Sequence, residues 1–213
     1  MDNPRKQGLE SVYRPEERNR LLFISFVSAV SILFLFPIIS SIAKYISVLW
    51  ILIVVLYNVP PFRLKRYPVT DILFGGVGHF VPIFVLGYAV MTGALMPITY
   101  IILYALFASG CHLSGASFDI QYDTKAGIKN TTVLLQSVRI GLSLSAVIFV
   151  IAILYAFYLG LQSIALVLII LPLYLVSIVI RNNITEENSV HIFKVINTVI
   201  IAIGFIIGFI VWY

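Results

Sequence analysis

The chain has 213 residues, 61% of them hydrophobic and 11% charged, with a formal net charge of +5 and a mean hydropathy of +1.05. That composition excludes a soluble globular domain. The single cysteine, Cys111, excludes a disulfide framework. Basic residues scattered over short loops, not gathered on one face, exclude nucleic-acid binding.

Residues 1–20, MDNPRKQGLESVYRPEERNR, are too charged for a secretory signal peptide and read as a cytoplasmic N-terminal segment. Seven apolar runs follow: Leu21–Ala43, Ile46–Tyr57, Ile72–Met91, Leu95–Cys111, Ile140–Tyr158, Ser163–Ile180 and Ile192–Tyr213. They are continuous, not alternating, and so predict helices crossing a ~30 Å hydrocarbon layer in place of barrel strands. The second is short and is expected to extend back through Lys44 and Tyr45, which can reach the interface. Pro37, Pro82 and Pro172 fall inside runs, where kinks are tolerated if neighbours satisfy the freed carbonyls. Gly75, Gly76 and Gly78 thin one side of the third run, either for close packing or for a cavity wall. Gly204 and Gly208 form a GxxxG pair that admits a close helix neighbour, from within the chain or from a second copy. The expected fold class is an all-α, polytopic membrane helical bundle, one domain over residues 1–213.

Basic residues orient it. Arg5, Lys6, Arg14, Arg18 and Arg20 precede the first run; Arg63, Lys65 and Arg66 follow the second; Lys125, Lys129 and Arg139 follow the fourth; Arg181 and Lys194 flank the last turn. Only Lys44 falls on the opposite side. The positive-inside rule then predicts an integral protein of the cell (plasma) membrane with a cytoplasmic N-terminus and, after an odd number of spans, an outer C-terminus. Every Asp and Glu falls on the inner side too, which leaves no mid-membrane carboxylate for an ion-coupled transporter.

Two inner loops stand out. In DIQYDTKAGIKNT, Asp119 and Asp123 are spaced to share one helical face. Like charges so placed repel unless a cation lies between them; the alternative is an acidic, solvated loop. In YNVPPFRLKRYPVTD, paired prolines join Arg63, Lys65 and Arg66. This is either a rigid connector at lipid headgroups or a clamp for a phosphorylated group, with Arg63 offering a bidentate fork and Lys65 a point charge. On the second reading Lys125 and Lys129 neutralise phosphate oxygens, and the hard carboxylate oxygens suit Mg²⁺. Among other polar groups, His79, His112 and His191 lack zinc or haem spacing. Ser114 and Ser117 lack a base partner. His79 reads as a packing residue, the Glu16–Glu17 and Glu186–Glu187 pairs as solvated loop faces. Asp71 either orients Arg63 or Lys65, or caps the third helix.

These segments resemble the UbiA-type intramembrane prenyltransferases, in particular the branch of lycopene elongases and related carotenoid or lipid prenyltransferases. LYNVPPFRLKRYPVTD is similar to that family's Y-[ST]-x-P-P-x-R-[LF]-K-x-x-P-x-x-D segment. HLSGASFDIQYDTKAGIKNTTVLL, which begins at His112, is similar to its second aspartate-rich motif. The resemblance implies a nine-helix fold, of which this chain supplies the third to ninth helices. It opens Met1-Asp2-Asn3-Pro4-Arg5-Lys6, like the trailing edge of the family's first motif, N-D-x-x-D-x-x-x-D followed by N-P-[RK]-K. Two helices and most of the first motif are therefore expected to be missing. That follows from a misplaced start or fragment, from a partner chain supplying the first aspartate-rich motif, or from a degenerate homologue.

What the resemblance implies is Mg²⁺-dependent transfer of a prenyl group from an allylic prenyl diphosphate to a lipophilic acceptor: a carotenoid, a quinone precursor or a lipid. Asp119 and Asp123 would hold the metal, and Tyr57, Asn58, Arg63, Lys65 and Lys125 the diphosphate. Membrane lipid surrounds the bundle, whose interior takes the polyprenyl tail. The alternative is a non-catalytic or partner-dependent membrane protein that binds polyprenyl phosphates.

Overall fold

The structure, a computed structural model, describes residues 37–59, 61–125, 127–181, 184 and 186–212. These residues form helices: α1 (Ser41–Asn58), a 3₁₀ turn (Leu64–Arg66), a π-helical segment (Asp71–Val77) running into α2 (Gly78–Thr92), α3 (Ile98–Ser117), α4 (Ile120–Lys125), α5 (Thr131–Leu135), α6 (Val138–Tyr158), α7 (Gln162–Leu168), α8 (Ile170–Arg181) and α9 (Glu186–Trp212). Among the described residues five stretches are long and apolar enough to cross a membrane: Ser41–Asn58, Asp71–Thr92, Ile98–Ser117, Val138–Tyr158 and Gln162–Arg181. The fold is thus an all-α polytopic bundle, as its apolar runs predict.

Boundaries follow local chemistry. Ser40 caps α1 by accepting the Ala43 N–H at 3.2 Å, so Lys44 and Tyr45 belong to that helix as expected. The first run is mostly outside the described residues, but its predicted end at Ala43 is too late. Residues 37–40 form a turn, and Pro37 stands there, not within a helix, because a proline and the residue before it disfavour continued helix. α2 ends on Gly93 at φ +70°, the left-handed cap that glycine takes without strain. α3 starts later than predicted, after Pro97, and runs on to Ser117. Ser114 and Ser117 extend it by donating to the carbonyls of Cys111 at 2.8 Å and Leu113 at 2.6 Å, which satisfies hydroxyls inside an apolar helix. Pro172 falls in the first turn of α8, where its missing N–H costs least.

α3 and α6 are the central pair. Gly110 allows it: a Cβ there would meet the Phe149 ring at 2.9 Å, and Ser145 donates to the Gly110 carbonyl at 2.7 Å. Phe149, Leu142, Leu168 and Leu175 fill the core these helices share with α7 and α8. Val81, Val85, Met96 and Ala108 form a second cluster between α2 and α3. Outward, Leu154, Leu166, Leu173 and Ile180 are each more than 60% exposed, a cost in water that a hydrocarbon solvent removes. Gly204 in α9 meets no neighbour within 4 Å among the described residues, so internal packing is not seen at that half of the GxxxG pair. The surroundings of Gly208 lie outside the description.

Candidate functional site

Short connections make the long helices alternate in direction, so Asn58, Asp71, Ser117 and Val138 come to one end of the bundle. The basic loop closes on itself there. Thr70 Oγ1 donates to the carbonyls of Leu64 at 2.6 Å and Tyr67 at 3.0 Å. Lys65 Nζ reaches back to Asn58 Oδ1 at 3.4 Å. Within this loop two non-glycine residues take left-handed backbone: Arg63 at φ +40° and Val69 at φ +69°. The Thr70 N–H meets the Pro68 carbonyl at 2.8 Å, which makes Val69 the centre of a γ-turn that a β-branched residue rarely adopts. Such conformations cost about 1–3 kcal/mol each and persist only where the surroundings impose them. Arg63 adds a second cost. Its Nε is buried with no hydrogen-bond partner among the described residues.

The acidic segment is a single turn of helix. The Asp123 N–H donates to the Asp119 carbonyl at 2.8 Å, so the two half-buried carboxylates share a face, as their spacing predicts. Asn130 Nδ2 donates to Asp123 Oδ2 at 2.6 Å, while its Oδ1 accepts the Val133 N–H at 3.0 Å and caps α5. Gly127, at φ +67°, makes the reversal between them.

The two loops are joined. The Lys129 N–H donates to the Arg66 carbonyl at 3.2 Å. Thr131 Oγ1 accepts the Val69 N–H at 2.7 Å and donates to Asp71 Oδ1 at 2.5 Å; the Thr131 N–H donates to Asp71 Oδ2 at 3.2 Å. Asp71 is only 1% exposed. Beneath this seam lies a tight knot: a Cβ on Gly75 would sit 2.6 Å from both the Tyr57 hydroxyl and His112 Cε1. Gly75 and Gly76 therefore serve close packing of the π-helical segment on α3, and Gly78 the approach of α2 to Ile53 of α1.

Of the residues singled out from sequence, Tyr57, Asn58, Arg63, Lys65, Asp119 and Asp123 gather at this end; Lys125 is there too but exposed. His79 is a partnered packing residue, its Nδ1 2.6 Å from the Phe74 carbonyl and its ring edge-on to Tyr57 at 4.7 Å. Asp71 does not cap the third helix with its side chain; its carboxylate accepts from Thr131. Sequence reasoning missed Asn130 and Thr131. Their signal was present in Asn-Thr-Thr ahead of an apolar run, an N-cap pattern. As a metal site, the donors fit a hard cation: two carboxylates one turn apart suit Mg²⁺, which keeps waters and takes one or two protein carboxylates. No group of three or more His, Cys, Asp or Glu side chains gathers among the described residues.

Comparison with known proteins agrees with this architecture. The UbiA prenyltransferase family matches residues 14–204. The chain is similar to the lycopene elongase/hydratase of Haloarcula japonica, 31% identical over 62% of this chain and 44% of that protein. It is also similar to the lycopene elongase/hydratase of Halobacterium salinarum, 31% identical over 64% and 48%. The chain thus spans less than half the length of the curated relatives it matches. A solved UbiA homologue from Archaeoglobus fulgidus, bound to DMAPP and Mg²⁺, superposes with a TM-score of 0.60 at 23% identity, over 93% of this chain and 70% of that one. At that identity the likeness shows the fold. The family match covers most of the chain, and the chain belongs to the UbiA prenyltransferase family.

Proposed function

We infer that the joined loops bind the diphosphate of an allylic prenyl donor, and that the chain serves Mg²⁺-dependent transfer of the prenyl group to a lipophilic acceptor. One observation carries this reading: Arg63 Nε, buried without a partner on a strained backbone, at the loop that meets the acidic turn. A buried, unpaired donor of this kind costs about 1–3 kcal/mol, and a diphosphate oxygen would relieve it. The relatives' names support the activity class, and the A. fulgidus homologue's bound DMAPP and Mg²⁺ support the ligand.

Arg63 offers planar donors to the diphosphate, Lys65 a point charge beside Asn58, and the Tyr57 hydroxyl a further donor from the floor. Asp119 and Asp123 would hold Mg²⁺, which when bound stabilises negative charge on the departing diphosphate. The apolar bundle then keeps water from the allylic cation. Phe84, Tyr104 and Phe107 line an apolar cavity with Tyr100, Leu103, Ile164 and Leu168; there Phe84 stacks on Tyr104 at 4.1 Å, and Phe107 meets Phe149 at 6.0 Å. The loops face the cytoplasm by the distribution of Lys and Arg.

A transfer assay with radiolabelled prenyl diphosphate tests this. Asp119→Asn and Asp123→Asn are expected to abolish turnover in folded protein; full turnover in both would remove the metal role. Binding of donor without turnover in the unaltered chain would instead assign a non-catalytic or partner-dependent polyprenyl-phosphate-binding protein.

A further inference from the structure

We propose that Asp71 and Thr131 form a latch that fixes the separation between the cationic loop and the acidic turn, which makes both positioning residues for the metal–diphosphate site. The proposal rests on the prenyl-diphosphate reading above. Asp71 is a buried carboxylate, costly unless fully bonded. Both donors it accepts from belong to one residue sixty positions away. Thr131 uses its hydroxyl twice, since the same oxygen accepts the N–H of the left-handed Val69. The latch therefore holds a backbone conformation that a valine would not keep by itself.

Each side of the latch continues into the site. On one side Thr70, between Val69 and Asp71, ties the loop that carries Arg63 and Lys65 through its bonds to Leu64 and Tyr67. On the other, Asn130 holds the Asp123 carboxylate. A metal–diphosphate must touch both sides at once, so its affinity depends on their separation. Neither Asp71 nor Thr131 has to touch the ligand.

The test uses the full chain in nanodiscs with Mg²⁺ and geranyl S-thiolodiphosphate, a donor analogue that resists ionisation. Thr131→Val removes the hydroxyl at constant shape and is expected to weaken analogue binding at least tenfold and to raise the half-saturating Mg²⁺ concentration. Thr131→Ser is expected to stay within about twofold of the unaltered protein. A merely structural role would lower the melting temperature of Thr131→Val and leave the affinity of its folded fraction unchanged; that result overturns the latch. A second measurement needs no variant. In the unaltered protein the analogue is expected to slow hydrogen exchange at the Val69 and Thr131 amides, and unchanged exchange with analogue bound also overturns the proposal. If the unaltered chain fails to bind the analogue at all, the prenyl-diphosphate reading falls and the latch with it.

Discussion

At the scale of single residues, Arg63 separates stability from binding. Its left-handed backbone and its unpaired buried Nε both work against folding, so the native state keeps it at a cost. Arg63→Gly relieves the backbone and removes the orphaned donor, against about 0.4–1 kcal/mol for a more flexible unfolded chain. We expect a melting temperature near that of the unaltered protein together with loss of magnesium pyrophosphate binding. Arg63→Lys keeps the charge but not the fork. Hydrogen bonds to charged groups contribute about 1.5–3 kcal/mol, so its affinity is expected to drop roughly 10- to 100-fold. Isothermal titration with magnesium pyrophosphate reads both; unchanged affinity in Arg63→Gly would remove Arg63 from the site. The sequence made Arg63 legible as a donor because charge at an inner loop is visible in one dimension. It did not make Asp71–Thr131 legible, because that contact joins two loops through a backbone turn at Val69 that no propensity favours.

At the scale of elements, helix identity was readable, and so, to within two residues, were the ends of three spans, Asp71–Thr92, Val138–Tyr158 and Gln162–Arg181; the ends of the first and fourth runs were not. Hydropathy located α6 within two residues at its start, but it cut α3 short, since it counts Ser114 and Ser117 as polar and cannot see them bonded to their own helix. It also gave no sign that residues 71–77 are π-helical, a geometry that arises here where Gly75 and Gly76 press the segment onto α3. Two glycines on this same rod make opposite predictions. Gly75→Ala would force a methyl against His112 and Tyr57, and overpacking of this kind costs about 1–3 kcal/mol. Gly87→Ala meets nothing within 4 Å and gains up to about 1 kcal/mol of helix propensity. Thermal unfolding in detergent should lower the midpoint for the first and hold or raise it for the second. Equal effects would mean that the knot of Tyr57, Gly75 and His112 is not tightly packed.

At the scale of the whole molecule, the sequence conveyed class through apolar length, and the distribution of positive charge proposes a sidedness. The structure adds that the two charged loops meet at one end, which we propose, from the charge rule, to be the cytoplasmic one. Sidedness is tested with single cysteines on a Cys111→Ser background, the chain having no other cysteine. Gln121, exposed on α4, marks the loop end, and Ala94, exposed between α2 and α3, marks the opposite end. In intact cells a membrane-impermeant maleimide is expected to label Ala94→Cys and to leave Gln121→Cys unmodified until the membrane is permeabilised. The reverse pattern would place the acidic turn outside, away from the cytoplasmic prenyl diphosphates and Mg²⁺ that the proposed reaction requires. Labelling of both from outside would mean that α3 does not separate Ala94 from Gln121 across a bilayer, and the assignment of that helix as a span would fail with it.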